Sequence, residues 1–136
     1  MSASVSDLRS VFREDLLKGQ VALVTGGGTG IGLGISELLA ALGAHVVVAS
    51  RRPAHHEAAV SAIRARGHAA SSVALDVRDH AAVHAVVQEV ATTHGRLDVL
   101  VNNAAGNFYA PSATLSPNAW KSVVEIDLYG TFYCSQ

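Results

Sequence analysis

Short runs of β-branched and other apolar residues alternate along this chain with longer stretches in which apolar positions recur every three or four residues, as successive strand–helix units do. Val21–Thr25 reads as a buried strand, Gly26–Gly30 as a glycine turn, and Ile31, Ile35, Leu38, Leu39 and Leu42 as the stripe of a first helix that Gly43 ends. A second unit has the strand Val46–Ser50, then a helix opened by Pro53, with Val60 and Ile63 on its buried face and a stop at Gly67. In the third, Val73–Val77 is the strand, Asp79 caps a helix striped by Val83, Val86, Val87 and Val90, and Gly95 terminates it. Val99–Asn102 is a fourth, shorter strand. After a loop from Asn103 to Leu115, Ser116 and Pro117 supply a cap and a first-turn proline for a fourth helix, still helical in pattern at Gln136.

Strands this apolar call for cover on both faces, so the expected class is α/β: a Rossmann-like, doubly wound parallel sheet, truncated after the fourth strand and part of the fourth helix. The expected strand order is 3-2-1-4, with the fourth strand at an edge.

Composition narrows the function classes. Of 136 residues, 49% are hydrophobic, enough for a real core, and the formal net charge of -1 offers no broad basic field for nucleic acid or anionic lipid. Neither a nucleic acid nor a membrane is an expected partner. The longest apolar runs, such as Val46 to Ala49, fall far short of the roughly 20 residues that span a bilayer. Residues 1–19 form an N-terminal extension in which Asp7, Arg9, Arg13, Glu14, Asp15 and Lys18 leave no signal-peptide core. Cys134 is the only cysteine, which fits a reducing compartment; the cytoplasm is the expected location.

The glycine turn carries the first chemistry. Thr25-Gly26-Gly27-Gly28-Thr29-Gly30-Ile31-Gly32 stands between a strand and a helix, where bare backbone can approach a pyrophosphate and first-turn amides can meet it. One helix N-terminus contributes only about 0.3 to 1 kcal/mol per charge interaction, so several amides must converge. The second strand ends in Ser50-Arg51-Arg52, with no acid between His45 and His56. An NAD site needs a carboxylate there for the ribose hydroxyls, whereas a 2′-phosphate is drawn to arginine, so NADP(H) is the expected cofactor. The alternative is that Arg51 and Arg52 are a solvated turn.

The spacing, TGxxxGxG, resembles that of the short-chain dehydrogenase/reductase family, and Asp76-Val77 and Asn102-Asn103-Ala104-Ala105-Gly106 match two further motifs of that family. The resemblance covers residues 20–136, an NADP-binding Rossmann half-domain. It implies cofactor contacts at Thr25, Gly26, Thr29, Gly30, Ile31, Gly32, Arg51, Arg52, Asp76, Val77, Asn103 and Ala104. Asp76 would hold the adenine edge, and the segment from Asn102 to Gly106 would steady the sheet and line the nicotinamide ribose.

Projected at about 100° per residue, the fourth helix places Trp120, Val123, Val124, Leu128 and Thr131 on one side with Asp127 in their midst. A carboxylate there is expected to be paired, shifted in pKa or lining a cavity, unless the helix is mis-phased or the group makes a structural hydrogen bond. Asp127-Leu128-Tyr129-Gly130 matches the family's N-x-x-G element with aspartate in place of asparagine. Together with Asn102 to Phe108, Leu115 to Trp120 and Asp15 to Ala22, it resembles the 2,4-dienoyl-CoA reductases, especially the peroxisomal type and its bacterial relatives. That likeness implies an acyl-CoA thioester substrate in fatty-acid β-oxidation, Asp127 in a catalytic proton relay, and substrate contacts at Arg51, Arg78, Phe108 and Ser116. It also implies a homo-oligomer at full length.

Seven histidines invite a metal, and His80 with His84 has the spacing of two ligands on one helical face. No acidic third ligand follows within a recognisable spacing and Cys134 is remote in sequence, so no metal is expected and the histidines read as solvated. The family's serine and Tyr-x-x-x-Lys pair are absent from this sequence: Tyr109, Tyr129 and Tyr133 have no lysine four residues later. Three readings therefore compete: a dienoyl- or enoyl-CoA reductase, another short-chain alcohol dehydrogenase or 3-oxoacyl reductase, and an inert NADP-binding or self-associating fragment.

Overall fold

The structure, a computed structural model, describes residues 11–136. The first ten residues of the expected N-terminal extension, with Asp7 and Arg9, lie outside the described residues. The elements run β1 (Val21–Thr25), α1 (Gly30–Ala41), β2 (His45–Ser50), α2 (Pro53–Ala65), β3 (Ala70–Ala74), α3 (His80–His94) and β4 (Val99–Asn102). A short 3-10 turn (Ser112–Thr114) leads into α4 (Pro117–Val124), a π-helical turn (Glu125–Tyr129) and α5 (Gly130–Ser135).

The strands are parallel in the expected order β3-β2-β1-β4. β1 lies inside the sheet, every residue buried, because helices cover both faces. On one face Ala22, Val24, Val46 and Val48 pack against Ala40, Ala59, Val60 and Ile63 of α1 and α2. On the other, Leu23, Val47 and Ala49 meet Val83, Val86 and Val90 of α3, with Ile126 and Cys134. Leu23 and Val24 have no exposed surface, and burying side chains of this size contributes roughly 1.5 to 3 kcal/mol each.

Helix punctuation follows the residues. Asp79 Oδ1 accepts the Ala82 amide at 3.0 Å, Ser116 Oγ accepts that of Ala119 at 3.2 Å, and Gly95 closes α3 with φ +72°.

Five expectations need correction. The third strand is Ala70–Ala74, not Val73–Val77, because β2 pairs from Val46 with Ala70 to Ser50 with Ala74; Asp76 and Val77 lie beyond it. Cover on both faces does not extend to β3, which alternates buried and open at the sheet edge, or fully to β4. Ile31 is 80% exposed, and α1 buries Gly32, Ser36 and Ala40 instead, since small residues let it approach the sheet. The fourth helix does not keep one phase: Pro117–Val124 buries no residue, leaving Trp120 exposed, and the π-helical turn then shifts the register so that Leu128 is exposed while Ile126 and Gly130 are buried. Finally, His56 is not solvated; it is 5% exposed, with Nδ1 against Ser50.

Candidate functional site

The carboxyl ends of β1, β2 and β4 open onto one cleft, at the edge where an open α/β sheet reverses its winding. Its floor is the glycine turn. Gly26 and Gly30 adopt φ of +65° and +54°, a region that side chains disfavour, and this lets the chain reverse from β1 into α1. The turn is tied down from behind. The Gly26 amide donates to the Ala49 carbonyl at 2.7 Å, Ser36 Oγ to the Gly27 carbonyl at 3.1 Å, and Asn103 Nδ2 to the carbonyls of Thr25 and Gly26 at 3.0 and 3.1 Å. A Cβ on Gly32 would collide with the Gly26 carbonyl oxygen and Asn103 Nδ2, so α1 can lie this close only with glycine there. The first-turn amides of α1 have no carbonyl four residues back, which leaves them as donors for an anion.

The cleft is about 390 Å³, within the roughly 300 to 1,000 Å³ of small-molecule sites. Gly26, Thr29, Ile31 and Gly32 line it from the first strand–helix turn, Arg51 and Arg52 from the second, Asp76 and Val77 from the third, and Asn103 and Ala104 from the fourth. Four separate chain segments thus bring together ten of the residues expected from the sequence. Of the remaining expected cofactor contacts, Gly30 shapes the turn without lining the cleft, and Thr25 is 1% exposed behind it. The Thr25 hydroxyl accepts the amides of Asn103 and Ala104, each at 3.1 Å, and donates to the Val101 carbonyl at 3.3 Å.

The expected substrate contacts lie outside the cleft, apart from Arg51. Arg78 grips Asp76, with Nη2 to Oδ2 at 2.6 Å and Nε to Oδ1 at 3.0 Å. Those bonds hold the Asp76 carboxyl below its ordinary range, helped by the Arg51 charge and opposed by partial burial. Both partners are about one-third exposed, so the pair adds at most about 1 kcal/mol to stability. Phe108 is half exposed on the loop after β4, and the Ser116 hydroxyl is taken up in capping α4. Asp127 is exposed on the π-helical turn, where its Oδ1 accepts the Gly106 amide at 2.9 Å. That bond joins the fourth helix to the motif after β4.

Sequence reasoning missed Gly28, Ser50, His55, Leu75 and Ile126 as lining residues. A signal existed for His55: it falls in the first turn of the helix that starts right after Arg51 and Arg52. Ile126 gave none, because only the π-helical turn aims it inward.

The glycine cradle that a Cβ would fill, and two guanidinium groups at the end of β2, where the chain carries no acid, fit a pyrophosphate carrying a further phosphate on ribose. The family model described as short chain dehydrogenase matches residues 20–136. The peroxisomal 2,4-dienoyl-CoA reductase [(3E)-enoyl-CoA-producing] of Danio rerio is 45% identical over 127 residues, which are 93% of this chain and 42% of that protein. The chain therefore spans less than half the length of this curated relative. Among solved structures, the citronellol catabolism dehydrogenase of Pseudomonas aeruginosa PAO1 superposes with a TM-score of 0.87 at 37% identity, over 92% of this chain and 51% of that one. A metagenomic short-chain oxidoreductase in complex with NADP gives 0.82 at 39% identity, over 87% and 54%. No helix among the described residues is long and apolar enough to cross a membrane.

Proposed function

This chain belongs to the short-chain dehydrogenase family, and on that footing we propose that it binds NADP(H) as a reductase of 2,4-dienoyl-CoA or enoyl-CoA thioesters in fatty-acid β-oxidation. The observation that carries this is the wall of the cleft at the end of β2, where Arg51 and Arg52 stand and no carboxylate does. A ribose diol would find no acceptor there; a 2′-phosphate would find two guanidinium groups.

When bound, NADPH supplies a hydride to the far end of the conjugated thioester. The chain's residues prepare that event. The first-turn amides of α1 receive the pyrophosphate, and Asp76, its charge offset by Arg78, takes the adenine edge. Asn103 keeps the glycine turn and the loop after β4 in register. Asp127 commits Oδ1 to the Gly106 amide, and the proton relay is assigned to Oδ2, the oxygen that this bond does not use. Arg51, Arg78, Phe108 and Ser116 are proposed to meet the CoA thioester. Burial pushes the Cys134 thiol up and leaves it outside the chemistry. The exposed Trp120, Leu128 and Phe132 are in keeping with a homo-oligomer at full length.

A second reading, another alcohol dehydrogenase or 3-oxoacyl reductase, is favoured by the likeness to the citronellol catabolism dehydrogenase. A third reading is cofactor binding without turnover. NADPH oxidation with dienoyl-CoA, enoyl-CoA and ketone substrates separates the three. Turnover of dienoyl-CoA supports the first, turnover of ketones alone the second, and binding without turnover the third. In the binding assay, Arg51→Asp should weaken NADPH about tenfold or more and hold or improve NADH, since it places a carboxylate at the end of β2; equal affinity of the variant for NADPH would overturn the cofactor assignment.

A further inference from the structure

We propose that His55 is a third ligand for the 2′-phosphate of NADP(H), set beside Arg51 and Arg52, and that it helps decide between NADP(H) and NAD(H); this rests on the NADP(H) reading above. His55 lines the same cleft as the two arginines, although it comes from the first turn of α2 rather than from the strand end.

Its position is built rather than incidental. The next residue, His56, is 5% exposed, with Nδ1 3.2 Å from both the hydroxyl and the carbonyl oxygen of Ser50. A carbonyl only accepts, so Nδ1 carries the proton toward it and the ring anchors α2 to the end of β2. Ser50 Oγ donates to the Arg52 carbonyl at 3.2 Å, and the His55 amide donates to that same carbonyl at 3.0 Å. Residues 50 to 56 therefore form a braced turn, and Arg51, Arg52 and His55 on it all line the cleft.

The phosphate-binding loop touches this turn. A Cβ on Gly28 would come within 2.9 Å of the His55 carbonyl carbon and oxygen, so the first turn of α2 abuts the glycine turn itself. Among the described residues lining the cleft, Asp76 is the only carboxylate, and Arg78 already holds it. A dianion at this corner meets two guanidinium groups and an imidazole able to donate, with no unpaired acid to repel it. A cofactor lacking the 2′-phosphate leaves all three without an anionic partner.

Calorimetric titration of the protein with NADP+, NAD+ and 2′,5′-ADP tests the assignment. His55→Ala and His55→Gln are compared with His55→Arg, circular dichroism confirming that each variant folds. His55→Ala should weaken NADP+ and 2′,5′-ADP by about 5- to 20-fold and NAD+ by less than about twofold, with His55→Gln intermediate and His55→Arg restoring affinity. Equal losses for NADP+ and NAD+, or no loss for NADP+, would overturn the role of His55 alone. An unchanged protein that binds NAD+ in preference, or neither dinucleotide, would instead bring down the NADP(H) reading and this inference with it.

Discussion

Thr25 and Asn103 hold one another twice: the Asn103 backbone amide donates to Thr25 Oγ1 at 3.1 Å, and Asn103 Nδ2 donates to the Thr25 carbonyl at 3.0 Å. The pair welds the end of β1 to the end of β4, the two strands that flank the cleft floor. Thr25→Val keeps the shape but leaves the amides of Asn103 and Ala104 without their acceptor, at a cost of about 2 kcal/mol. Urea denaturation should show that loss for Thr25→Val and a much smaller one for Thr25→Ser; equal stability of the two variants would mean that the hydroxyl is not the hinge of this junction.

Two glycines of α1 should respond in opposite ways. At Gly32 a methyl group would strike the Gly26 carbonyl and Asn103, whereas at Gly34 it would meet nothing within 4 Å, and the backbone there is ordinary helix. Gly32→Ala is expected to abolish binding of NADP+ and NAD+ alike by displacing the shared pyrophosphate cradle. Gly34→Ala should leave binding intact and add about 0.4 to 1 kcal/mol of stability through the unfolded chain. Intact dinucleotide binding by Gly32→Ala would contradict the cradle.

Asp127 holds the Gly106 amide and is also assigned the proton relay, and two substitutions separate these roles. Asp127→Asn keeps an acceptor oxygen, so amide exchange at Gly106 should stay slow while reduction of dienoyl-CoA falls. Asp127→Ala should lose both, with exchange at Gly106 faster by about tenfold. Full reductase activity in Asp127→Asn would remove the carboxylate from the chemistry.

Stability should depend on pH through His45. Its imidazole is held below the ordinary 6.5, first by burial, then by the charges of His94 and Arg64. The rings of His45 and His94 lie 4.2 Å apart between centroids, and His45 Nε2 is 2.9 Å from Ser71 Oγ. A depressed folded value means that the unfolded chain binds the proton more readily, so stability is fully present above 6.5 and declines as pH falls through the folded value. Urea midpoints measured from neutral pH down to pH about 5 should fall, and fall less steeply in His45→Gln. Identical slopes in the two proteins would show that His45 carries no linkage.

Much of this molecule is legible one residue at a time, because caps and helix stops are satisfied locally. Asp79, Ser116 and Gly95 act within a few residues of themselves, and the Gly26–Gly30 turn shows in its glycine spacing although Ala49 and Asn103 hold it from afar. Arg51 and Arg52 are visible for the same reason, as a charge pattern at a strand end. Features that need a partner distant in the chain are settled only by folding. Valines 73 and 77 suggest a later third strand, but pairing with β2, not apolarity, selects Ala70–Ala74. The inward aim of Ile126 and the exposure of Leu128 come from a π-helical turn that a regular period does not anticipate. His55 reaches the cleft because a buried imidazole six residues past the end of β2 draws α2 against that strand. Local hydrogen-bonding rules are written in the order of residues, whereas register, phase and convergence are set by the competition of all surfaces for the same core.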